Sequence, residues 1–356
     1  MSHLHAIKKT KVPFSKPKSV KKVFIAGVGA VGCTLVKQIE QHHSLRVIGI
    51  CNSQYVKWFR SEEATYKRSE LQTSVDKDWS EIVQKLISYK QGSVIFVDAT
   101  GSLEVSNLYP KLFENQIHVV TASKLANTQS QESFDHLHQL AHDFNVKFHY
   151  ETNVGAGLPV INTIKNLTDS GDKIIEISGV VSGTMTFLFS ELENGATFSE
   201  TVNKARTLGY AEPDPRDDLS GEDVVRKFMI LARICGVRIE RDEIYVESLT
   251  PDHLKNVDAT QFLEGLTDVD ASWNKKIAVE KEKGRVLRYT GKLQNGRIEV
   301  GIESVPKLSA LGSLSGTTNL ITIKTKRYND QPLTIQGPGA GKEVTAAGVL
   351  SDILKI

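Results

Sequence analysis

The sequence predicts an α/β protein in two parts, a parallel sheet layered with helices and an α+β part with an open antiparallel sheet. A glycine motif, Gly27-Val28-Gly29-Ala30-Val31-Gly32, stands between a strand pattern and a helix pattern. Strand and helix patterns then alternate as far as residue 150, which favours parallel pairing. Beyond residue 285, strand patterns follow one another directly, as in an antiparallel sheet. The first part therefore has the pattern of a Rossmann-type dinucleotide-binding domain.

Composition narrows the class of protein. A chain of 356 residues can bury two hydrophobic cores, and its 40% hydrophobic and 24% charged residues are ordinary for a globular protein. The net charge of +2 gives no argument for nucleic acid. No apolar run approaches the roughly 18 to 20 residues that cross a bilayer. Cys33, Cys51 and Cys235 lack metal spacing, so we expect reduced thiols in a cytoplasmic protein.

The N-terminus is strongly basic. Seven lysines and no acidic residue fall within the first 22 residues. We expect residues 1–21 to form a flexible tail, because they lack the apolar core of a secretory signal and the arginines of a mitochondrial presequence. A plastid or other targeting role is the minor alternative.

The glycine motif predicts a phosphate site. A strand over residues 22–26 precedes it, and apolar residues at helical spacing follow it. Glycines here allow a tight turn, approach of the backbone to a pyrophosphate and close helix packing, with the phosphates at the helix N-terminus. The residues expected to hold the dinucleotide here are Gly27, Gly29, Ala30, Val31 and Gly32.

The second strand, over residues 46–50, ends where the adenosine ribose is expected. An Asp or Glu at this point would bind the ribose hydroxyls of NAD and repel a 2′-phosphate, but this chain has Asn52. With Lys57 and Arg60 close by, the sequence favours NADP, and acceptance of both cofactors stays open. Lys57 and Arg60 could equally be plain surface residues.

Two further strands end in residues suited to the crevice. The strand over residues 93–97 leads to Thr100 and Ser102, and the strand over residues 118–121 leads to Ser123 and Lys124. Lys124 could also be a surface lysine at a helix entry. A covering helix is expected over residues 130–144, and its histidines His136, His138 and His142 are interpreted as a solvated face rather than a metal site.

Residues 208–227 concentrate acids and amines. Pro213 and Pro215 favour an extended loop over residues 212–218. Residues 220–223 have the form of a capping box, and the helix that follows places Asp223 and Lys227 on one face. One interpretation is a solvated loop with a surface ion pair. The other is recognition of an ammonium group by the acids, with the lysine as proton donor.

Residues 209–227 resemble the signature segment of the homoserine dehydrogenase family. The similarity runs from the glycine motif to the terminal helix, and several segments are closest to the dehydrogenase half of fused aspartokinase–homoserine dehydrogenases. The family reduces aspartate 4-semialdehyde to homoserine with a nicotinamide cofactor. The resemblance implies that Lys227 donates the proton, that Lys124 stabilises the oxyanion and that Asp223 orients Lys227. The substrate contacts it implies are Gly183, Thr184, Tyr210, Glu212 and Asp218.

The resemblance also implies features that spacing alone does not show. Residues 151–159 match a hinge at which main-chain oxygens hold a monovalent cation, usually sodium, and the matching positions are Glu151, Val154, Ala156 and Leu158. The closing segment implies cofactor contacts at Gly339 and Glu343. The expected domains are a nucleotide domain at 22–153, a catalytic and dimerisation domain at 154–336 and a terminal helix at 337–356. The open sheet leads us to expect a homodimer.

Two rival functions remain at this stage. An aspartate-semialdehyde dehydrogenase would need a nucleophilic cysteine, and no cysteine has a suitable context. A catalytically inactive NADP-sensing protein is disfavoured by Lys124, Glu212, Asp223 and Lys227 occurring together. We expect neither a kinase domain before the tail nor a regulatory domain after Ile356, and therefore no remote inhibition by threonine.

Overall fold

A seven-stranded sheet forms the first part of the structure, a computed structural model that describes residues 20–60 and 75–356. Its strands are β1 (Lys21–Ala26), β2 (Leu45–Cys51), β3 (Tyr55–Trp58), β4 (Val75–Asp76), β5 (Val94–Asp98), β6 (His118–Thr121) and β7 (Phe148–His149). Their order is β4-β3-β2-β1-β5-β6-β7. Strands β2, β1, β5, β6 and β7 run parallel, and β3 and β4 add an antiparallel edge. Chain order reverses between β1 and β5, where such sheets bind ligands.

Helices cover both faces of this sheet. They are α1 (Ala30–Ile39), α2 (Trp79–Ile87), α3 (Leu103–Ser106), α4 (Tyr109–Glu114) and α5 (Gln131–Asp143). The predicted helix over residues 130–144 is confirmed, with the Ser130 side chain as its cap. The prediction of a solvated histidine face is wrong for His138. The His138 ring packs between Phe134 and Phe148, and burial lowers its pKa to about 3.

The second part mixes helices with a second sheet. Its elements are α6 (Ile161–Asp169), β8 (Ile174–Val180), α7 (Gly183–Glu193), α8 (Phe198–Thr207), α9 (Arg216–Leu219), α10 (Glu222–Ile234), β9 (Tyr245–Val246), α11 (Ala259–Gly265), α12 (Asp270–Glu282), β10 (Arg285–Gln294), β11 (Arg297–Pro306), β12 (Thr318–Thr325), β13 (Leu333–Pro338) and α13 (Lys342–Leu354). The sheet order is β13-β12-β8-β10-β11-β9. All its pairs are antiparallel except β9 with β11.

Helix α13 returns to the first part. Its residues Val349 and Ile353 are fully buried in one cluster with Val23, Ile25 and Leu35 of β1 and α1. This packing ties the C-terminus to the nucleotide-binding sheet. The segment expected to start at residue 337 instead begins inside a strand, because β13 extends to Pro338.

The acidic stretch differs from its prediction in two ways. Residues 216–219 form α9 rather than an extended loop, since Pro215 adopts helical angles and the Asp214 carboxylate accepts the Arg216 N–H at 3.0 Å. The capping box also does not form. Gly221 caps α10 with a φ of +77°, and a Cβ there would lie 2.0 Å from the Tyr289 hydroxyl. Only glycine meets both demands.

Some predictions fall outside the described residues. The basic tail lies there apart from Val20 and Lys21, and Lys21 belongs to β1. Among the described residues, no helix has the length and apolarity needed to cross a membrane.

Candidate active site

A cavity of about 510 Å³ opens at the carboxyl ends of β1, β2 and β5. Five of the residues predicted to bind a dinucleotide line it, namely Gly27, Gly29, Asn52, Thr100 and Ser102. The other three residues of the motif, Ala30, Val31 and Gly32, form the first turn of α1. The N-terminus of this ten-residue helix therefore borders the cavity, where its exposed N–H groups suit phosphate.

The three glycines of the motif meet three different demands. Gly27 has a φ of +92°, and a Cβ there would lie 2.6 Å from the carbonyl oxygen of Ala99. A Cβ on Gly32 would lie 1.9 Å from the Gly27 carbonyl oxygen, so α1 packs directly on the turn. Gly29 has open space around it, which leaves its backbone accessible to a bound group.

Near Asn52, the cavity is also lined by a lysine, Lys77, that the sequence did not lead us to select. The Asn52 side-chain oxygen accepts the N–H groups of Gln54 at 2.8 Å and Tyr55 at 2.7 Å, which fixes a tight turn. Lys77 lines the same cavity, with Nζ 3.3 Å from Glu104 Oε2 and above the Trp79 ring. No motif marks Lys77, because it reaches the cavity from a different strand end. Lys57 lies on β3 and does not line this cavity.

Two amines from different parts of the chain meet at one carboxylate. Asp223 and Lys227 lie four residues apart on α10, and Lys227 Nζ is 2.7 Å from Asp223 Oδ2. Lys124 follows β6, and its Nζ is 3.3 Å from Asp223 Oδ1. Lys227 Nζ also donates to the Val181 carbonyl oxygen at 2.6 Å. The predicted pair on α10 is thus present, and Lys124 joins it from the nucleotide-binding sheet.

Burial and mutual charge set the protonation of this cluster. Burial lowers the pKa of Lys124, Asp223 opposes this shift, and the positive charges of Lys227 and Arg226 add to it. Burial alone would raise the pKa of Asp223, but Lys227 and Lys124 hold it well below its usual range. The carboxylate therefore stays ionised, while Lys124 is easier to deprotonate than an ordinary lysine.

A second cavity of about 790 Å³ is lined by Asp223 and Lys227 of this cluster and by the acids Glu212 and Asp218. The five predicted substrate residues all line it: Gly183, Thr184, Tyr210, Glu212 and Asp218. Asp218 Oδ2 accepts the Glu212 N–H at 2.8 Å, and the Thr184 hydroxyl donates to the Tyr210 carbonyl at 2.5 Å. Burial raises the pKa of Asp218, and the negative charges of Glu212 and Asp223 reinforce the shift. A cationic ligand would relieve this repulsion.

Three other predicted cofactor residues have different positions. Gly339 lines the second cavity, together with Arg226 and Thr317, which sequence reasoning did not select. Ser123 is buried beneath the Lys124 turn, and its hydroxyl accepts the Leu125 N–H at 3.4 Å. Glu343 lies in the first turn of α13, where its carbonyl accepts the Gln38 side-chain amide. Neither Ser123 nor Glu343 is among the residues that line these two cavities.

The proposed cation loop connects the two parts of the chain. Gly155 and Ala156 have φ values of +79° and +54°, so two successive residues are left-handed. Val154 and Ala156 are buried, and no described residue donates a hydrogen bond to their carbonyl oxygens. The carbonyls of Glu151 and Leu158 accept the N–H groups of Val154 and Val160. Buried oxygens without donors are chemically suited to a hard cation.

A crevice at the reversal point of a parallel sheet, lined by a glycine turn at the N-terminus of a helix, defines the dinucleotide-binding class of α/β proteins. A family profile described as homoserine dehydrogenase matches residues 159–354, and one described as homoserine dehydrogenase, NAD binding domain, matches residues 27–151. The chain belongs to the homoserine dehydrogenase family.

Individual relatives agree with this assignment. The bifunctional aspartokinase/homoserine dehydrogenase of Haemophilus influenzae is 35% identical over 365 residues, covering 99% of this chain and 44% of that protein. The chloroplastic bifunctional aspartokinase/homoserine dehydrogenase 1 of Zea mays is 36% identical over 362 residues, which cover 96% of this chain and 39% of that protein. This chain thus spans less than half the length of these curated relatives.

Solved structures share the fold over nearly the whole chain. A Candida auris protein of unknown function has a TM-score of 0.87 at 31% identity, covering 94% of this chain and 98% of that one. A hyperthermophilic archaeal homoserine dehydrogenase in complex with NADPH has a TM-score of 0.72 at 26% identity, covering 94% and 97%.

Proposed function

We propose that this chain catalyses the reversible NAD(P)H-dependent reduction of L-aspartate 4-semialdehyde to L-homoserine, a step in threonine, methionine and isoleucine biosynthesis. The observation that carries the proposal is the meeting of Lys124 and Lys227 at Asp223, where Asp223 and Lys227 line the same cavity as Glu212 and Asp218. An aldehyde reduction needs a proton donor for the new alkoxide, and this amino-acid substrate brings an ammonium group. The amines provide the proton donor for the alkoxide, and the acids provide the partner for the ammonium group.

Lys227 is the proton donor in this proposal. Its amine is held in two directions, by Asp223 at 2.7 Å and by the Val181 carbonyl at 2.6 Å, which leaves the remaining N–H for the substrate oxygen. A nicotinamide cofactor held in the cavity lined by Gly27, Gly29 and Asn52 would supply the hydride. Lys124 stabilises the developing negative charge on the same oxygen. Asp223 keeps both amines in place.

Glu212 and Asp218 bind the α-ammonium group of the substrate. Asp218 accepts the Glu212 main-chain N–H, so the two acids share one fixed turn. Gly183, Thr184 and Tyr210 line the adjacent wall. The raised pKa of Asp218 reflects burial near other acids, and an incoming ammonium would offset that cost.

NADP is the proposed cofactor, with NAD as a second one. Asn52 puts no carboxylate at the ribose, and Lys77 supplies a positive charge within the same cavity. A carboxylate at position 52 would repel the 2′-phosphate, whereas an amide does not. Glu104 pairs with Lys77 at 3.3 Å, so a bound phosphate must compete with that carboxylate. The NADPH complex of the archaeal relative supports the same choice.

A monovalent cation, sodium, is proposed at the loop between the two parts. The main-chain oxygens of Glu151, Val154, Ala156 and Leu158 would hold it, and the two without hydrogen-bond donors gain most. Such an ion would fix the loop rather than take part in hydride transfer. Melting temperature measured in sodium chloride should exceed that in choline chloride at equal ionic strength. Equal melting temperatures would argue against a bound ion.

We also propose a cytoplasmic homodimer joined through the outer face of the second sheet. Helices α7, α10 and α12 pack on β10, and Phe228 of α10 lies against Gly291. Because side chains alternate along a strand, Thr290 and Lys292 point to the opposite face. Sedimentation of the purified chain tests this, since a monomer at micromolar concentration would contradict it.

Homoserine oxidation followed by nicotinamide absorbance tests the main proposal. We expect NADP reduction that depends on homoserine and is absent with other amino alcohols. Cofactor binding without turnover would instead indicate an inactive sensor. Aspartate-semialdehyde dehydrogenase chemistry is disfavoured, because burial raises the pKa of both Cys51 and Cys235 to about 12, and the Cys33 thiol donates to the Val28 carbonyl.

A further inference from the structure

Helix α10 carries a second buried cation, Arg233, whose side chain is 0% exposed. Its guanidinium donates to the carbonyl oxygens of Asn127 at 3.0 Å and Gln129 at 2.7 Å through Nη1, and to that of Ile239 at 3.0 Å through Nη2. The guanidinium also lies 5.4 Å from the centre of the Phe134 ring. Three carbonyls from two parts of the chain therefore converge on one side chain.

Arg233, Glu240 and Gln131 together form what we call the interdomain clasp. One Glu240 oxygen accepts the Gln131 N–H at 2.7 Å, and the other lies 3.4 Å from Arg233 Nη2. The Gln131 side-chain oxygen accepts the Ile239 N–H at 3.1 Å. A buried charge is costly unless several partners compensate it, and the clasp supplies them. The planar guanidinium of arginine can donate to several carbonyl oxygens in fixed directions, which the single ammonium group of lysine cannot do.

The clasp contacts the turn that carries Lys124, because Arg233 donates to the carbonyl oxygens of Asn127 and Gln129. The Lys124 carbonyl accepts the Asn127 N–H and the Thr128 hydroxyl, each at 3.0 Å, so this turn is closed on itself. The Asn127 side chain donates to Asn153 at 3.0 Å and lies 3.1 Å from His138 Nε2. Because these hydrogen bonds hold the turn rigid, a displacement of its carbonyl groups also displaces the Cα of Lys124.

Helix α10 thus contacts the Lys124 turn at two separated points. Asp223 meets the Lys124 amine near the start of the helix, and Arg233 meets the turn's carbonyls near its end. Ten residues separate Asp223 from Arg233, or about 15 Å along a helix that rises 1.5 Å per residue. One contact alone would allow the helix to pivot, whereas two contacts fix its direction.

We propose that Arg233 is a positioning residue for the reaction: it locks the Lys124 turn onto α10, so that Lys124 and Lys227 share Asp223. The proposal rests on the function proposed above. Arg233 touches no reacting atom and acts through Lys124. Removing Arg233 should lower kcat while the KM for homoserine changes little. The proposed ammonium-binding residues Glu212 and Asp218 belong to the second part of the chain, whereas the Lys124 turn belongs to the first.

A double-mutant cycle with Lys124 tests this role. We expect Arg233→Met to lower kcat about 10- to 100-fold, since displacing a catalytic group by about 1 Å costs up to about 100-fold. In the Lys124→Met background the same change should cost less than about threefold, because its target is gone. An equal loss in both backgrounds would overturn the proposal and leave Arg233 a purely structural residue.

The pH profile gives a second readout. Once the turn is released, Lys124 leaves the burial and the Lys227 charge that lower its pKa, so the alkaline limb of kcat should move to higher pH. An unmoved limb would contradict the proposal even if kcat falls. Arg233→Lys keeps the charge with fewer hydrogen bonds, and it carries both measurements if Arg233→Met does not fold.

Arg238→Met is the matched control. Arg238 also pairs across the two parts of the chain, with Asp135, but its side chain is 72% exposed. This variant should keep kcat within about threefold of the unmodified chain, as exposed ion pairs contribute little. A large loss here would mean that any contact between the parts matters, which would overturn the special role of Arg233. Inactive unmodified protein would instead refute the proposed function.

Discussion

Replacing Asp223 with asparagine removes the charge that holds the two amines together. Asp223 Oδ2 lies 2.7 Å from Lys227 Nζ, and Oδ1 lies 3.3 Å from Lys124 Nζ. Asparagine keeps the size and shape of the side chain but offers one oxygen without charge. Lys227 would then be oriented mainly by the Val181 carbonyl, and the two ammonium groups would repel each other without a shared anion.

The expected loss follows from these contacts. A hydrogen bond to a charged group contributes about 1.5 to 3 kcal/mol. Because 45% of the Asp223 side chain is exposed, solvent screens the interaction, and the lower part of the range, about 1.5 to 2 kcal/mol, is appropriate. At about 1.4 kcal/mol per tenfold change in rate, Asp223→Asn should lower kcat roughly 10- to 30-fold.

Steady-state homoserine oxidation over a range of pH is the assay. Asp223 raises the pKa of Lys124, so its removal should move the alkaline limb of kcat to lower pH, opposite to the shift expected for Arg233→Met. Glu222→Gln is the control, since Glu222 lies in the same helical turn but pairs with Arg241. A kcat within about threefold of the unmodified enzyme, with an unmoved limb, would refute the orienting role of Asp223.

Further variants test the other assignments. Lys227→Ala should lower kcat about 10²- to 10⁴-fold while NADPH binding, followed by fluorescence, survives; near-normal turnover would remove Lys227 from the mechanism. Glu212→Gln should raise the KM for homoserine about tenfold with little change in kcat, and a loss confined to kcat would contradict ammonium binding. Asn52→Asp should shift preference towards NAD, and Lys77→Ala should weaken NADP about tenfold but not NAD, whereas an unchanged efficiency ratio would show that neither residue reads the ribose.

Sequence patterns predicted the buried strands well and the edge strands poorly. The bounds of β6 match the prediction over residues 118–121, and all but its first residue are buried. The strands that were missed, β3, β4, β9 and β13, lie at sheet edges or next to them and alternate or expose most of their residues. A strand is recognised from its apolar run, and edge strands bury too little to have one.

Tertiary contacts explain why the loop predicted over residues 212–218 becomes helical from residue 216 onwards. Arg216 donates to the Val257 carbonyl at 2.6 Å and to both carboxylate oxygens of Asp214. Both contacts hold the start of α9 in place, and the first depends on a partner 41 residues away in sequence. The restriction before a proline applies to Glu212 and Asp214, which lie outside the helices, and it does not extend to residues 216–218.

The chemical residues of the site could be selected from sequence, but not the residues that place them. Lys124, Asp223 and Lys227 stand in recognisable segments. Lys77 and Arg233 do not, because each acquires its role only when distant segments fold together. Lys77 enters the nucleotide cavity from the β4 side, and Arg233 reaches carbonyls more than 100 residues away. No periodicity or spacing rule connects such positions.

Neither part of the chain holds the amine cluster alone. Lys124 follows β6 of the first sheet, while Asp223 and Lys227 belong to α10 of the second part. Separated from α10, Lys124 would lose the burial that lowers its pKa and would titrate as an ordinary surface lysine. The protonation of Lys124 therefore depends on how the two parts dock. Because a buried arginine braces that docking about 15 Å along α10, changes far from the substrate can alter the chemistry without touching a reacting group.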